Sequence, residues 1–119
     1  VERVGQVSHT EALRHVQRAR TLLLPVNDTP NAMGFLPAKV FEYLSVRRPI
    51  LCVAPAAADI ARVLGAAHTL VPRGDAAAMQ HAVDALFAAG EQEPLVPLEY
   101  DRVKLTERLA IVLEGLVRR

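Results

Sequence analysis

The chain has 119 residues, enough for one domain and a modest core. Lys and Arg number 14 against 13 Asp and Glu, a net charge of +1. That balance argues against a nucleic-acid binder, which would show a basic excess concentrated on one face, and an apolar content of 51% argues against a disordered chain.

No apolar run approaches the ~20 residues that span a bilayer, and Val4 to Val7 is too short for the apolar core of a signal peptide. The single cysteine, Cys52, cannot form an internal disulfide. This fits a cytoplasmic protein, with the membrane surface as the alternative for an intact enzyme. With no initiator methionine, Val1-Glu2-Arg3-Val4 reads as the approach to a strand within a longer protein.

Arg3 to Val7 is expected to be a short strand. Ser8 and Glu11 have capping-box spacing, which predicts a helix from about His9. Ala12, Leu13, Val16 and Ala19 give that helix an apolar face, and Arg18 and Arg20 suit its C-terminal end. Thr21 to Val26 is a continuous apolar run, as are Ile50 to Val53 and Thr69 to Val71. Such runs suit parallel strands covered on both faces. Pro25, Pro55 and Pro72 mark their ends, because proline cannot donate into a ladder.

A helix from Pro37 should place Val40, Phe41 and Leu44 on one face. A short helix over about Ala57 to Leu64 should turn Ile60, Val63 and Leu64 inward and stop at Gly65. Asp75 caps a helix to about Ala89, with Met79, Val83, Leu86 and Phe87 as its buried stripe and Gly90 as its end. Glu91 to Leu98 reads as loop. The last helix spans about Tyr100 to Val117, with Leu105, Leu109, Val112, Leu113 and Leu116 at helical spacing. Alternating strands and helices imply an α/β fold: a Rossmann-like parallel sheet with helices on both faces, in one domain over 1–119.

The stretch Pro37-Ala38-Lys39-Val40-Phe41-Glu42-Tyr43-Leu44 carries the most specific chemistry. A loop with Asn27, Asp28, Asn31 and Gly34 leads into it; these first three are turn residues. A helix N-terminus after a strand offers unpaired N–H groups to phosphate. Gly34, Phe35 and Leu36 would add backbone N–H groups; the plainer alternative is an ordinary loop with Phe35 filling a core gap. Glu42 stands about 7.5 Å along the helix axis from Pro37, where a carboxylate suits ribose hydroxyls. On spacing alone it reads instead as a solvated residue paired with Lys39. Lys39 itself suits either a phosphate or the helix surface, and Tyr43 suits packing.

The order Gly5-Gln6-Val7, Thr21-Leu22-Leu23-Leu24-Pro25, Pro37-x-Lys39-x-x-Glu42-Tyr43-Leu44, Arg48-Pro49-Ile50 resembles the C-terminal half of a nucleotide-sugar glycosyltransferase. It is similar to the retaining, two-Rossmann-domain (GT-B) enzymes of family 4, over Val4 to about Leu116. The resemblance implies a partial GT-B C-terminal domain that binds a nucleoside-diphosphate sugar, with Glu42 on the donor ribose. It implies an N-terminal acceptor domain in the same chain, phosphate-gripping basic residues outside these 119, and no metal or other cofactor. The family's second glutamate, in the spacing E-x7-E, corresponds here to Gly34. Catalytic residues and the acceptor stay unassigned.

His9, His15, His68 and His81 form no metal-ligand pattern, and His9 suits a surface helix start better than a substrate contact. Arg47-Arg48 and Arg118-Arg119 read as helix-end cations. A non-catalytic α/β interaction or nucleotide-binding domain is the rival reading. A receiver domain would need an acidic cluster that Asp28 alone does not supply.

Overall fold

The structure is a computed structural model that describes residues 2–27, 29–90 and 100–117. Its sheet has three parallel strands: β1 Leu22–Pro25, β2 Ile50–Val53 and β3 Thr69–Val71, in the order β1-β2-β3. Leu23 pairs with Leu51 and Cys52 with Leu70, which sets the register. Five helices complete the described fold: α1 His9–Arg18, α2 Lys39–Val46, α3 Asp59–Leu64, α4 Ala76–Ala88 and α5 Arg102–Val117. This is the expected α/β arrangement, consistent with a Rossmann-like sheet.

Caps explain where the helices start. The Glu11 N–H donates to Ser8 Oγ, while Ser8 N–H and Oγ–H both donate to Glu11 Oε2, at 3.0 and 2.7 Å. Bonds from Ser8 hold the Glu11 carboxyl below its usual pKa. At α4 the Ala78 N–H donates to Asp75 Oδ1 at 2.8 Å. Each cap satisfies a helix-start donor that would otherwise lack a partner.

Strand alternation sorts the core into two faces. On one, Leu22, Leu24, Ile50 and Cys52 pack with Val40, Tyr43 and Leu44 of α2 and Ile60 and Leu64 of α3. Val16 and Ala19, from α1 and its end, pack against this cluster. On the other, Leu51 and Val71 meet Ala82 of α4, flanked by Ala78, Met79, Val83 and Leu86. Helices therefore lie on both faces of the sheet. Burial pushes the Cys52 thiol up to about 11.

Several expectations are corrected. Residues 3–7 form no strand; with no ladder partner, Val4 and Val7 stay exposed. Only β2 is covered as the continuous runs imply. β1 is buried on one face alone, and Leu23 is 56% exposed because α4 does not reach across it. In α4 the buried residue is Ala82, while Phe87 turns 75% outward, past the edge of the sheet-facing stripe. Helix α3 starts at Asp59, later than Ala57. α5 has the expected type, but its leucines build no core: every described α5 residue is exposed. The Glu91 to Leu98 loop, Asp28, and the Arg118-Arg119 cations lie outside the described residues.

Candidate functional site

The site expectations centre on the segment from the end of β1 to α2. Past β1, the Val26 N–H donates to the Val53 carbonyl, 2.9 Å, extending the ladder to the sheet's carboxyl edge. Thr29 to Gly34 then turns: the Ala32 N–H donates to Thr29 O and the Gly34 N–H to Asn31 O. The Asp59 N–H donates to Met33 O at 2.7 Å, tying this loop to the start of α3. The loop is therefore held on the edge where open α/β sheets take ligands.

Helix α2 begins at Lys39, two residues beyond Pro37. Pro37 and Ala38 form a tighter lead-in, with Val40 N–H donating to Pro37 O and Phe41 N–H to Ala38 O. Proline's fixed φ suits that turn as well as a first helical position. The buried residues of α2 are Val40, Tyr43 and Leu44. Phe41 is not on that face; it is 43% exposed and meets Tyr100 edge-on, with ring centroids 5.8 Å apart.

The predicted ligand-binding residues are not all brought together. Gly34 has its N–H occupied by Asn31 O, so this group does not point free at a ligand. Phe35 and Leu36 are both exposed, so Phe35 fills no core gap. Their N–H groups have no backbone partner among the described residues. The Lys39 ammonium lies 5.6 Å from the centroid of the Tyr43 ring, and no Lys39–Glu42 ion pair forms among the described residues. Glu42 lines a groove of about 490 Å³ with Phe41, Ser45, Arg47, Tyr100, Asp101 and Arg102. Glu42, an exposed residue, thus borders the space between α2 and the start of α5. A Cβ on Gly34 would stand 3.9 Å from Asp59 Oδ2, whose carboxylate pairs with Arg62 through Oδ1 at 3.1 Å.

Two features have no counterpart in the sequence expectations. One is the α5 side of the Glu42 groove, which local periodicity cannot place beside α2. The other is Arg73, whose guanidinium donates to the Val26 carbonyl. Its only sequence signal is Pro72-Arg73-Gly74-Asp75, a turn pattern bearing a cation directly after an apolar run.

Of the histidines, His68 has a defined role: its Nδ1 accepts the Ile50 N–H at 3.2 Å. Burial lowers its pKa. Among the described residues, no group of three or more His, Cys, Asp or Glu side chains converges as a metal site, and no helix is long and apolar enough to cross a membrane. Comparisons with models of protein families, with curated proteins and with solved structures find no match to this chain.

Proposed function

We propose that this chain is the donor-binding part of a retaining GT-B glycosyltransferase, which moves a sugar from a nucleoside-diphosphate sugar to an acceptor hydroxyl. The observation that carries the reading is the setting of Pro37-x-Lys39-x-x-Glu42-Tyr43-Leu44. This motif follows a parallel strand at the sheet's carboxyl edge, where ligands of such sheets bind. Burial of Tyr43 and Leu44 fixes the helix, while Glu42 stays on the groove.

In this reading Glu42 accepts the donor's ribose hydroxyls. The Phe35 and Leu36 N–H groups and the start of α2 face the diphosphate. As the glycosidic bond breaks, the leaving diphosphate gains negative charge, and preorganised donors stabilise that charge in the transition state. Lys39 adds a cation at the same helix start.

The test is a titration of the ¹⁵N-labelled chain with ADP, GDP and UDP, followed by amide shifts. Saturable shifts at Phe35, Leu36 and Glu42 with one of them support the reading. Shifts absent from this segment with all three overturn it. The rival, a non-catalytic α/β interaction domain, draws on a different observation, the exposed apolar residues of α5.

A further inference from the structure

We infer that Arg73 is a binding residue for the phosphate group of an anionic ligand seated across the carboxyl edge of the sheet. Arg73 follows β3, yet its guanidinium bonds Val26, which follows β1. Those two strands are the sheet's edges, with β2 between them. Neighbouring strands lie about 4.8 Å apart, so the side chain reaches about two strand spacings, over the carboxyl end of β2. It therefore lies along the carboxyl edge of the sheet, the edge outside which open α/β sheets bind ligands.

The backbone holds it there. Asp75 N–H donates to Pro72 O at 3.3 Å, and Gly74 has φ +81°. A type II turn requires positive φ at that third position, which glycine supplies without steric cost. Asp75 then caps α4. The turn is thus fixed at both ends, and Arg73 occupies its second position.

The charge is available. Guanidinium carries five N–H donors in a rigid fork, and the Val26 carbonyl does not use them all. Arg73 is an exposed residue and has no carboxylate within ion-pair distance among the described residues. Asp59, an acidic residue tied to the same edge, is paired with Arg62, and the Asp75 carboxylate accepts the Ala78 N–H. Bidentate guanidinium–phosphate bonding is the chemistry that such a fork suits best.

Identifying the phosphate as that of a nucleoside diphosphate rests on the function proposed above. The experiment separates the two claims. The chain and its Arg73→Gln and Arg73→Lys variants are titrated at low salt with inorganic pyrophosphate, UDP, GDP, ADP and the parent nucleosides. Binding is read from amide and Arg73 Nε–H shifts, and folding from thermal melts. Glutamine removes the charge and is two bonds shorter than arginine, so the thermal melt reports the loss of the Val26 bond; lysine keeps charge but no fork. The expected result is saturable pyrophosphate binding by the parent chain that shifts Arg73 Nε–H. Arg73→Gln should weaken it at least about tenfold at an unchanged melting temperature, and Arg73→Lys should fall between.

Pyrophosphate binding of that kind, without tighter binding of any nucleoside diphosphate, supports Arg73 and counts against the donor reading. Nucleotide shifts at Glu42 that leave Arg73 unmoved do the reverse. Equal affinity in Arg73→Gln and the parent overturns the assignment, as does an absence of pyrophosphate binding. If Arg73→Gln melts early, Arg73→Lys decides: at parent-like stability, parent-like affinity refutes the phosphate role, and weakened or lost affinity sustains it.

Discussion

Glu42 is set apart from its helix neighbours by what surrounds it. Val40, Tyr43 and Leu44 are committed to the core, and Ser45 Oγ–H donates to the Glu42 carbonyl. The Glu42 carboxylate has no ion-pair partner among the described residues. If it accepts ribose hydroxyls, Glu42→Ala should lower nucleoside-diphosphate affinity by about 1.5–3 kcal/mol, the worth of hydrogen bonds to a charged acceptor. Calorimetry that returns the parent affinity would remove the ribose role.

His68 gives a second residue-scale expectation. Its Nδ1 must be unprotonated to accept the Ile50 N–H. Burial lowers the folded-state pKa below the ordinary 6.5, while the unfolded chain keeps the ordinary value. Below pH 6.5 the unfolded state therefore binds more protons than the folded one. Stability is fully present above that pH and falls as the pH drops toward the folded pKa. His68→Asn should flatten this part of the stability profile, at a cost of about 0.5–1.5 kcal/mol at neutral pH if the Ile50 bond is lost. Urea melts from pH 7.5 to 5 check it; an unchanged slope in the variant would show that His68 does not report the loss.

At the scale of elements, α2 and α5 make opposite use of leucine. Leu44 is 4% exposed in the main core, whereas Leu109 on α5 is 57% exposed. Leu44→Ala should cost about 2–5 kcal/mol, as transfer energy plus a cavity. Leu109→Asp should stay within about 0.5 kcal/mol of the parent, because its side chain leaves no buried site. Denaturant melts of the two variants distinguish them; a large loss from Leu109→Asp would mean that α5 is packed in solution. Periodicity predicts α5 as a helix from Leu105, Leu109, Val112 and Leu116, but periodicity identifies an apolar face without naming what covers it. The same limit explains Phe41, which shares helical spacing with Val40 and Leu44 yet meets Tyr100 instead of the core.

At the scale of the whole molecule, glycosyl transfer requires donor and acceptor held in one geometry. The described residues build one three-stranded sheet with two small apolar clusters, one on each face. Under the proposed function, residues 1–119 alone should bind nucleotide weakly and transfer no sugar. Incubation with nucleotide sugars and candidate acceptors, followed by mass spectrometry, checks this. Product from the isolated chain would relocate the reaction to these residues and require a different mechanism.

The helices, and the three strands that do form, were determined locally in kind and order. Ser8 with Glu11, Asp75 before Ala76, and Gly65 after Leu64 act within a turn of themselves, and hydrogen bonds of such short reach are readable along the chain. The continuous runs at 22–25, 50–53 and 69–71 likewise specified parallel strands. Burial is different, because it belongs to pairs of surfaces that the fold brings together. Only the tertiary structure decided that Leu23 and Phe87 stay exposed, that residues 3–7 join no ladder, and that α5 adds nothing to the core. It also decided the candidate site: the Gly34 N–H is taken by a loop carbonyl, Glu42 shares a groove with residues at the start of α5, and Arg73 reaches past β2 to Val26. Such contacts join distant positions, and no periodicity or spacing within one segment encodes their partner.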